Sequence, residues 1–282
     1  MEVDQLSGLG LETEAWAYAP TGHPSRPLFE AMATSAAPRL GRFKAREIVT
    51  LAWAFSAACH PAPSLYDAIA SRVNSSLAYF DAHDLASLIW SFASAGRSVP
   101  ALYNGIAVEG LLRLGEFDNE DLVKLSWGLA AAGYSAPALL NAATKRLIPQ
   151  LVQLGPVNIA RLAWGCATAD SLQVRTFDHL FDTAFAERCN ELASQYSEES
   201  LSQLHQWWLW WSSKRGNTEC RPISSLLVRC HEAFAAAETR PEDGLLQQIS
   251  NVLAALGLKN RIHLRLPEGY CLDVATECQQ QK

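Results

Sequence analysis

Between residues 85 and 93 the apolar side chains fall at Leu85, Leu88, Ile89, Phe92 and Ala93. That is the i, i+3, i+4, i+7, i+8 spacing of a helix with a single apolar stripe. Asp81 and Asp84 stand at its start, where an acidic cap and acidic first turn suit the free amides and dipole of a helix N-terminus. Gly96 supplies a left-handed C-cap, and Pro100 opens a second helix whose apolar positions are Leu102, Tyr103, Ile106 and Leu111. The pattern predicts two helices, A and B, joined by a short turn. Neither can bury its stripe alone, so the pair needs neighbours.

The neighbours are written in the same register. "DLASLIWSFASAG" at 84–96 returns as "DLVKLSWGLAAAG" at 121–133, and Trp16, Trp53, Trp90, Trp127 and Trp164 are each 37 residues apart. Five before each tryptophan stand Leu11, Ile48, Leu85, Leu122 and Ile159; two after stand Tyr18, Phe55, Phe92, Leu129 and Cys166. On helix B the matching pairs are Leu28-Phe29, Leu65-Tyr66, Leu102-Tyr103, Leu139-Leu140 and, loosest, Thr176-Phe177. A fixed period of this size marks a solenoid. The expected fold is all-α: an α-α solenoid of about six two-helix repeats of 37 residues, coiled as a right-handed superhelix. Residues 1–42 read as a degenerate first repeat and 43–192 as four regular ones, and the tryptophans read as core between repeats.

A divergent helical unit spans 193–258 and opens with "YSEESLSQLHQWWLWW". Ser197 is its expected N-cap, and Gln206 takes the tryptophan place 42 residues after Trp164. Trp207, Trp208, Trp210 and Trp211 cover several helix faces, which fits a helix buried on more than one side; a base-stacking platform is the alternative. Helix-forming sequence runs on through Leu245 to Leu258, and the alternation of Tyr270, Leu272 and Val274 predicts one strand.

Three columns on helix A carry the candidate chemistry. Three residues before each tryptophan stand Thr13, Thr50, Ser87, Lys124 and Arg161, polar between apolar flanks. Seven before stand Arg46, His83, Glu120 and Val157; one after stand Ala54, Ser91, Gly128 and Gly165, all small. A variable polar column beside a small one suggests room for a flat ligand, and helical-repeat proteins read RNA about one base per repeat with two or three side chains. Arg46, Thr50, His83, Ser87, Lys124 and Arg161 are therefore the candidate RNA-binding residues, against the plainer reading of a solvated helix face. Arg72, Glu109 and Arg146 share a helix-B column of changing sign and read as outer surface; Asp67, Asn104, Asn141 and Asp178 share another that suits capping or a bridge between turns.

Composition narrows the partners. The chain has 282 residues, 49% hydrophobic and 18% charged, a net charge of −6 and a pI near 5.7. That is ample for a packed core and lacks the basic excess usual in nucleic-acid binders, so any polyanion site must be local. The seven cysteines form no C-x-x-C pair, Cys230-His231 is isolated, and there is no phosphate loop or nucleophile elbow. No metal, cofactor or small-molecule substrate is implied. "MEVDQLSGLG" at the start has the features of neither a secretory signal nor an organelle transit peptide, and no apolar run is long enough to cross a membrane.

The phrase L-x-x-L-x-W-x-F-A-x-A-G at 37-residue spacing resembles the repeats of organellar RNA-binding proteins of the heptatricopeptide and octotricopeptide group. "LSQLHQWWLW" is similar to the last helical unit that precedes a RAP domain in that group and in FAST kinase-like proteins, and "VLAALGL" with "LPEGYCLDVA" to the start of that domain. The likeness runs over roughly residues 6 to 275 and makes 259–282 a truncated RAP-like segment. It implies single-stranded RNA binding in a mitochondrion or chloroplast: transcript stabilisation, processing, translation or ribosome assembly. No second acidic residue and lysine follow Asp273 in the arrangement a nuclease centre would need, so catalysis is not expected. The rival expectation is a protein-interaction scaffold within a larger ribonucleoprotein, which the acidic balance favours.

Overall fold

The computed structural model describes residues 26–170, 181–215 and 221–237, and within the C-terminal stretch 252–254, 258, 260–266, 268 and 270–276. Trp16, Thr13, Thr176-Phe177, Asp178 and most of 245–258 lie outside the described residues. The protein is an all-α solenoid in which A and B helices alternate. The B helices are α1 (Arg26–Ala36), α3 (Pro63–Asn74), α5 (Pro100–Leu112), α7 (Pro137–Leu147), α9 (Thr183–Glu191) and α11 (Ser224–Ala237). The A helices are α2 (Ala45–Ala57), α4 (Ala82–Ser94), α6 (Asn119–Ala131), α8 (Pro156–Asp170) and α10 (Glu198–Arg215).

The signals for the ends act as expected. Asp81 and Asp118 accept the amides of Asp84 and Asp121 at 2.7 and 2.8 Å, and Ser197 accepts that of Ser200 at 3.3 Å. Gly96 and Gly133 take φ of 63° and 65°, which lets Arg97 and Tyr134 donate back to Phe92 and Leu129 and satisfy carbonyls at the helix end. Cys59 fills the equivalent place one unit earlier at φ 49°, a conformation glycine adopts more readily. The helix-B polar column bridges turns: Asp67 accepts from Arg97 at 2.7 Å and Asn104 from Tyr134 at 3.2 Å.

The core lies between the two layers. Aromatic residues of one unit's B helix meet the next unit's A helix edge-on, Phe29 against Phe55 at 4.9 Å and Tyr66 against Phe92 at 5.0 Å between ring centroids. Within the inner layer each A helix lies directly on the one before. The small column makes this possible, and its role differs from the one expected. Ala54, Ser91, Gly128 and Gly165 are buried, and Gly128 and Gly165 face the preceding helix instead of an open surface. A Cβ on Gly128 would stand 2.4 Å from Ile89 Cγ2 and 3.2 Å from the Ile89 carbonyl carbon; one on Gly165 would stand 3.4 Å from Trp127 Cα.

Two other expectations change. Leu111 is 41% exposed, and Gly110 is the residue of that turn that packs inward, against Leu139 and Phe117. Arg146 is not free outer surface: its guanidinium donates to the Leu114 carbonyl of the preceding unit. Arg113 and Arg188 do the same for Phe80 and Leu154, each at 2.9 Å. These carbonyls belong to the turns that lead into the next A helix, so the arginines tie successive units at their outer edge.

At the C-terminal end Trp207 and Trp211 are buried against Phe181 at 5.2 and 5.4 Å, as expected of a helix covered on more than one side. His205, also buried, donates to the Glu268 carbonyl at 2.8 Å, and Phe234 meets Tyr270 edge-on at 5.0 Å. Both contacts attach a hairpin of β1 (Asn260–Arg265) and β2 (Cys271–Thr276), antiparallel with Ile262 opposite Val274 and Leu264 opposite Leu272. The single strand expected is thus one arm of a pair.

The two glycines predict opposite outcomes. Gly128→Ala forces overpacking against a branched carbon and backbone, which costs about 1–3 kcal/mol and outweighs the roughly 1 kcal/mol gained in helix propensity. Gly165→Ala meets ordinary contact distances and should be neutral or slightly stabilising. Chemical denaturation of the two variants side by side checks the contrast.

Candidate RNA interface

Because the A helices stack in register, each column becomes a row across the inner face of the solenoid. A groove of about 390 Å³ runs along these rows, lined by Arg46, Thr50, His83, Ser87, Lys124 and Arg161 together with Val49, Trp53, Trp90 and Glu120. All six candidate residues share this one surface. They come from four units and are brought together only by the stacking.

Their side chains differ in how free they are. Arg46 donates to Asp84 of the next unit at 3.3 Å, and His83 Nδ1 meets Asp121 of the next at 3.0 Å. Both carboxylates are nearly buried, with 6% and 5% of their side chains exposed, while Arg46 and His83 remain 62% and 45% exposed. Lys124 is held by Glu120 one turn before it at 2.8 Å. Thr50 donates to its own helix, to the Arg46 carbonyl at 3.0 Å. Arg161 has no carboxylate partner among the described residues.

Burial pushes the Asp84 carboxyl above its ordinary range, with the Asp81 carboxylate adding to the effect and the Arg46 guanidinium opposing it. Asp121 is raised in the same way, by burial and then Asp118, with His83 opposing. An ion pair with one exposed partner contributes little by itself, but a buried carboxylate left alone is costly. Arg46 and His83 thus fix the stacking of units as well as facing the groove. The sequence carried the signal: a basic residue at one place and an aspartate 38 residues later, one period plus one. Read column by column, that offset is invisible.

The tryptophans also sit differently from expectation. Trp53, Trp90, Trp127 and Trp164 are half-buried, and Trp53 and Trp164 pack on the core. Trp90 meets Trp127 at 6.4 Å and Trp127 meets Trp164 at 5.9 Å between ring centroids, tilted by 34° and 36°. The Trp164 indole then donates to Gln206, the residue in its column one unit on, at 3.0 Å. Trp90, Trp127 and Trp164 thus form a ladder rather than a sealed core, and Trp53 and Trp90 line the groove, because the tryptophan column lies between the buried stripe and the polar row.

Residues 46–209, more than half of the chain, match the family model described as RESC6, RNA-editing substrate-binding complex 6 protein. The chain belongs to that family. The matched segment begins at Arg46 and ends within α10, so it holds every groove residue named above. Membership in the RNA-editing substrate-binding complex 6 family makes this an RNA-associated helical protein. No curated protein matches the chain. Among the described residues no group of His, Cys, Asp and Glu is placed to hold a metal ion, and no helix is long and apolar enough to cross a membrane.

The raised carboxyls give a pH test. A carboxyl raised on folding favours the folded chain most fully below its unfolded value, and that contribution is lost as pH rises through the folded one. Asp84→Asn with Asp121→Asn abolishes both titrations. Thermal unfolding from the carboxylate range up to neutrality should show the gap between variant and parent moving in the variant's favour as pH rises. A constant gap means neither group titrates in that window.

Proposed function

We propose that the groove binds single-stranded RNA without catalysis, as part of an RNA-editing complex in the mitochondrion, the organelle that goes with complexes of this kind. The observation that carries the reading is the gathering of Arg46, Thr50, His83, Ser87, Lys124 and Arg161 on one inner surface inside the family-matched segment. Ser87, Lys124 and Arg161 present donors suited to base edges, and the last two can also meet phosphate. The Thr50 hydroxyl is turned into its own helix, which suits a contact surface better than a nucleophile. The sequence likeness to heptatricopeptide and octotricopeptide repeats, and of the C-terminal segment to the start of a RAP domain, supports the same reading.

A second reading has its own observation. Val108 and Leu112 on α5 are 53% and 76% exposed beside half-exposed Leu111, an apolar strip on the outer layer. It suits contact with other proteins of a complex and is compatible with RNA on the inner face.

Selection against a randomised single-stranded RNA pool at moderate salt, with nonspecific competitor, tests the reading. A short motif of about one base per repeat should be enriched. Lys124→Ala with Arg161→Ala should weaken binding and flatten its salt dependence by about two phosphate contacts. A well-folded protein that enriches nothing assigns the inner surface to proteins instead.

A further inference from the structure

The tryptophan ladder has a gap. Trp90–Trp127 and Trp127–Trp164 are in ring contact, but no such contact joins Trp53 to Trp90. Those two rings line the groove instead, whereas Trp127 and Trp164 do not. The cause lies in the small column. Where Gly128 and Gly165 face the preceding helix, backbones close to the distances given above and the indoles follow. At the first junction the equivalent residue is Ser91, fully buried, and the repeat register sets it against Ala52 and Trp53. Its Cβ and hydroxyl need room that the glycines do not, and the hydroxyl is turned back to the Ser87 carbonyl at 2.7 Å. Helix α4 is held off α2, and the tryptophans stay apart.

We propose that this gap is a slot for one nucleobase, which stacks on Trp53 and Trp90 with its edge toward Ser87 and Thr50. The proposal rests on the RNA reading above and deepens it. One turn below the tryptophan row lies the hydroxyl row, and one turn below that lie Arg46 and His83, where the phosphate of the same nucleotide would pass. The groove that holds this gap, about 390 Å³ along four A helices, falls within the roughly 300–1,000 Å³ usual for ligand clefts. Charge favours a base over a phosphate as the anchor. Arg46 and Lys124 are already matched by Asp84 and Glu120, which leaves Arg161 as the one groove arginine or lysine without a carboxylate partner among the described residues. Stacking needs no free cation, since every base has an aromatic face.

The test uses the full chain and short single-stranded RNAs carrying 2-aminopurine, an abasic nucleotide or 5-iodouridine, moved one position at a time along the strand. One position should show quenched 2-aminopurine, a loss of affinity of about tenfold or more when abasic, and photocrosslinking to Trp53 or Trp90. Trp53→Leu with Trp90→Leu should abolish that positional dependence while leaving the salt response carried by Lys124 and Arg161. RNA that binds with no preferred position, or that crosslinks to Trp208 or Trp210 instead, overturns the slot and leaves the RNA reading standing. No binding of any RNA by the folded parent overturns both. If the double variant does not fold, the abasic and crosslinking results on the parent still decide.

Discussion

The close approach of successive A helices is the constraint on which the rest depends. A two-helix unit has no core of its own; its apolar stripes are covered only when the next unit sits against it. How near that unit comes is set by one residue per repeat, the one after the tryptophan. Glycine there allows backbone against backbone, and serine holds the helices further apart. The same choice fixes where the tryptophans stack, where the polar rows line up, and where the inner face opens into a groove. Structure and candidate site are therefore not separate features. The groove runs along the polar rows that the stacking brings into line.

The pairs Arg46–Asp84 and His83–Asp121 belong to the same logic. A helix stack held by apolar contact alone tolerates sliding by a residue or a turn. A buried aspartate that must find its partner 38 residues earlier penalises any such slip, since misregister would leave a buried charge unmatched. The arginines that reach back to turn carbonyls at the outer edge, Arg113 to Phe80 and Arg188 to Leu154, impose the same register from the other side. Both rims of the solenoid are pinned by polar contacts while its middle is apolar.

This explains what could be read from the sequence. Period, helix pairing, the acidic caps and the turn glycines are local or strictly periodic, and periodicity survives into the fold unchanged. The six groove residues were legible because a column on a repeat becomes a row on a solenoid. The small column was legible as a pattern but not as a role: a run of small residues looks alike whether it makes room for a ligand or for a helix. Leu111 and Arg146 were misplaced for a related reason, since their surroundings depend on neighbouring units' turns and not on their own helix. The other strand, Asn260–Arg265, was obscured because Arg261 and Arg265 flank its short Ile262 and Leu264 alternation.

The electrostatics of the groove bear on how such a protein selects its ligand. Counterion release from phosphate contacts supplies affinity that is indifferent to sequence and falls steeply with salt. A chain with net charge −6, whose groove cations are mostly matched by carboxylates, has little of that term. What remains is aromatic surface, which accepts any base, and hydrogen-bonding side chains, which distinguish one base from another but hold each weakly. A surface of this kind discriminates better than it retains. Retention then has to come from elsewhere, and the apolar strip on α5, on the layer facing away from the groove, is placed for a second protein to supply it. On the function proposed above, a selective RNA surface on an acidic chain and an outer protein contact are two halves of one physical solution.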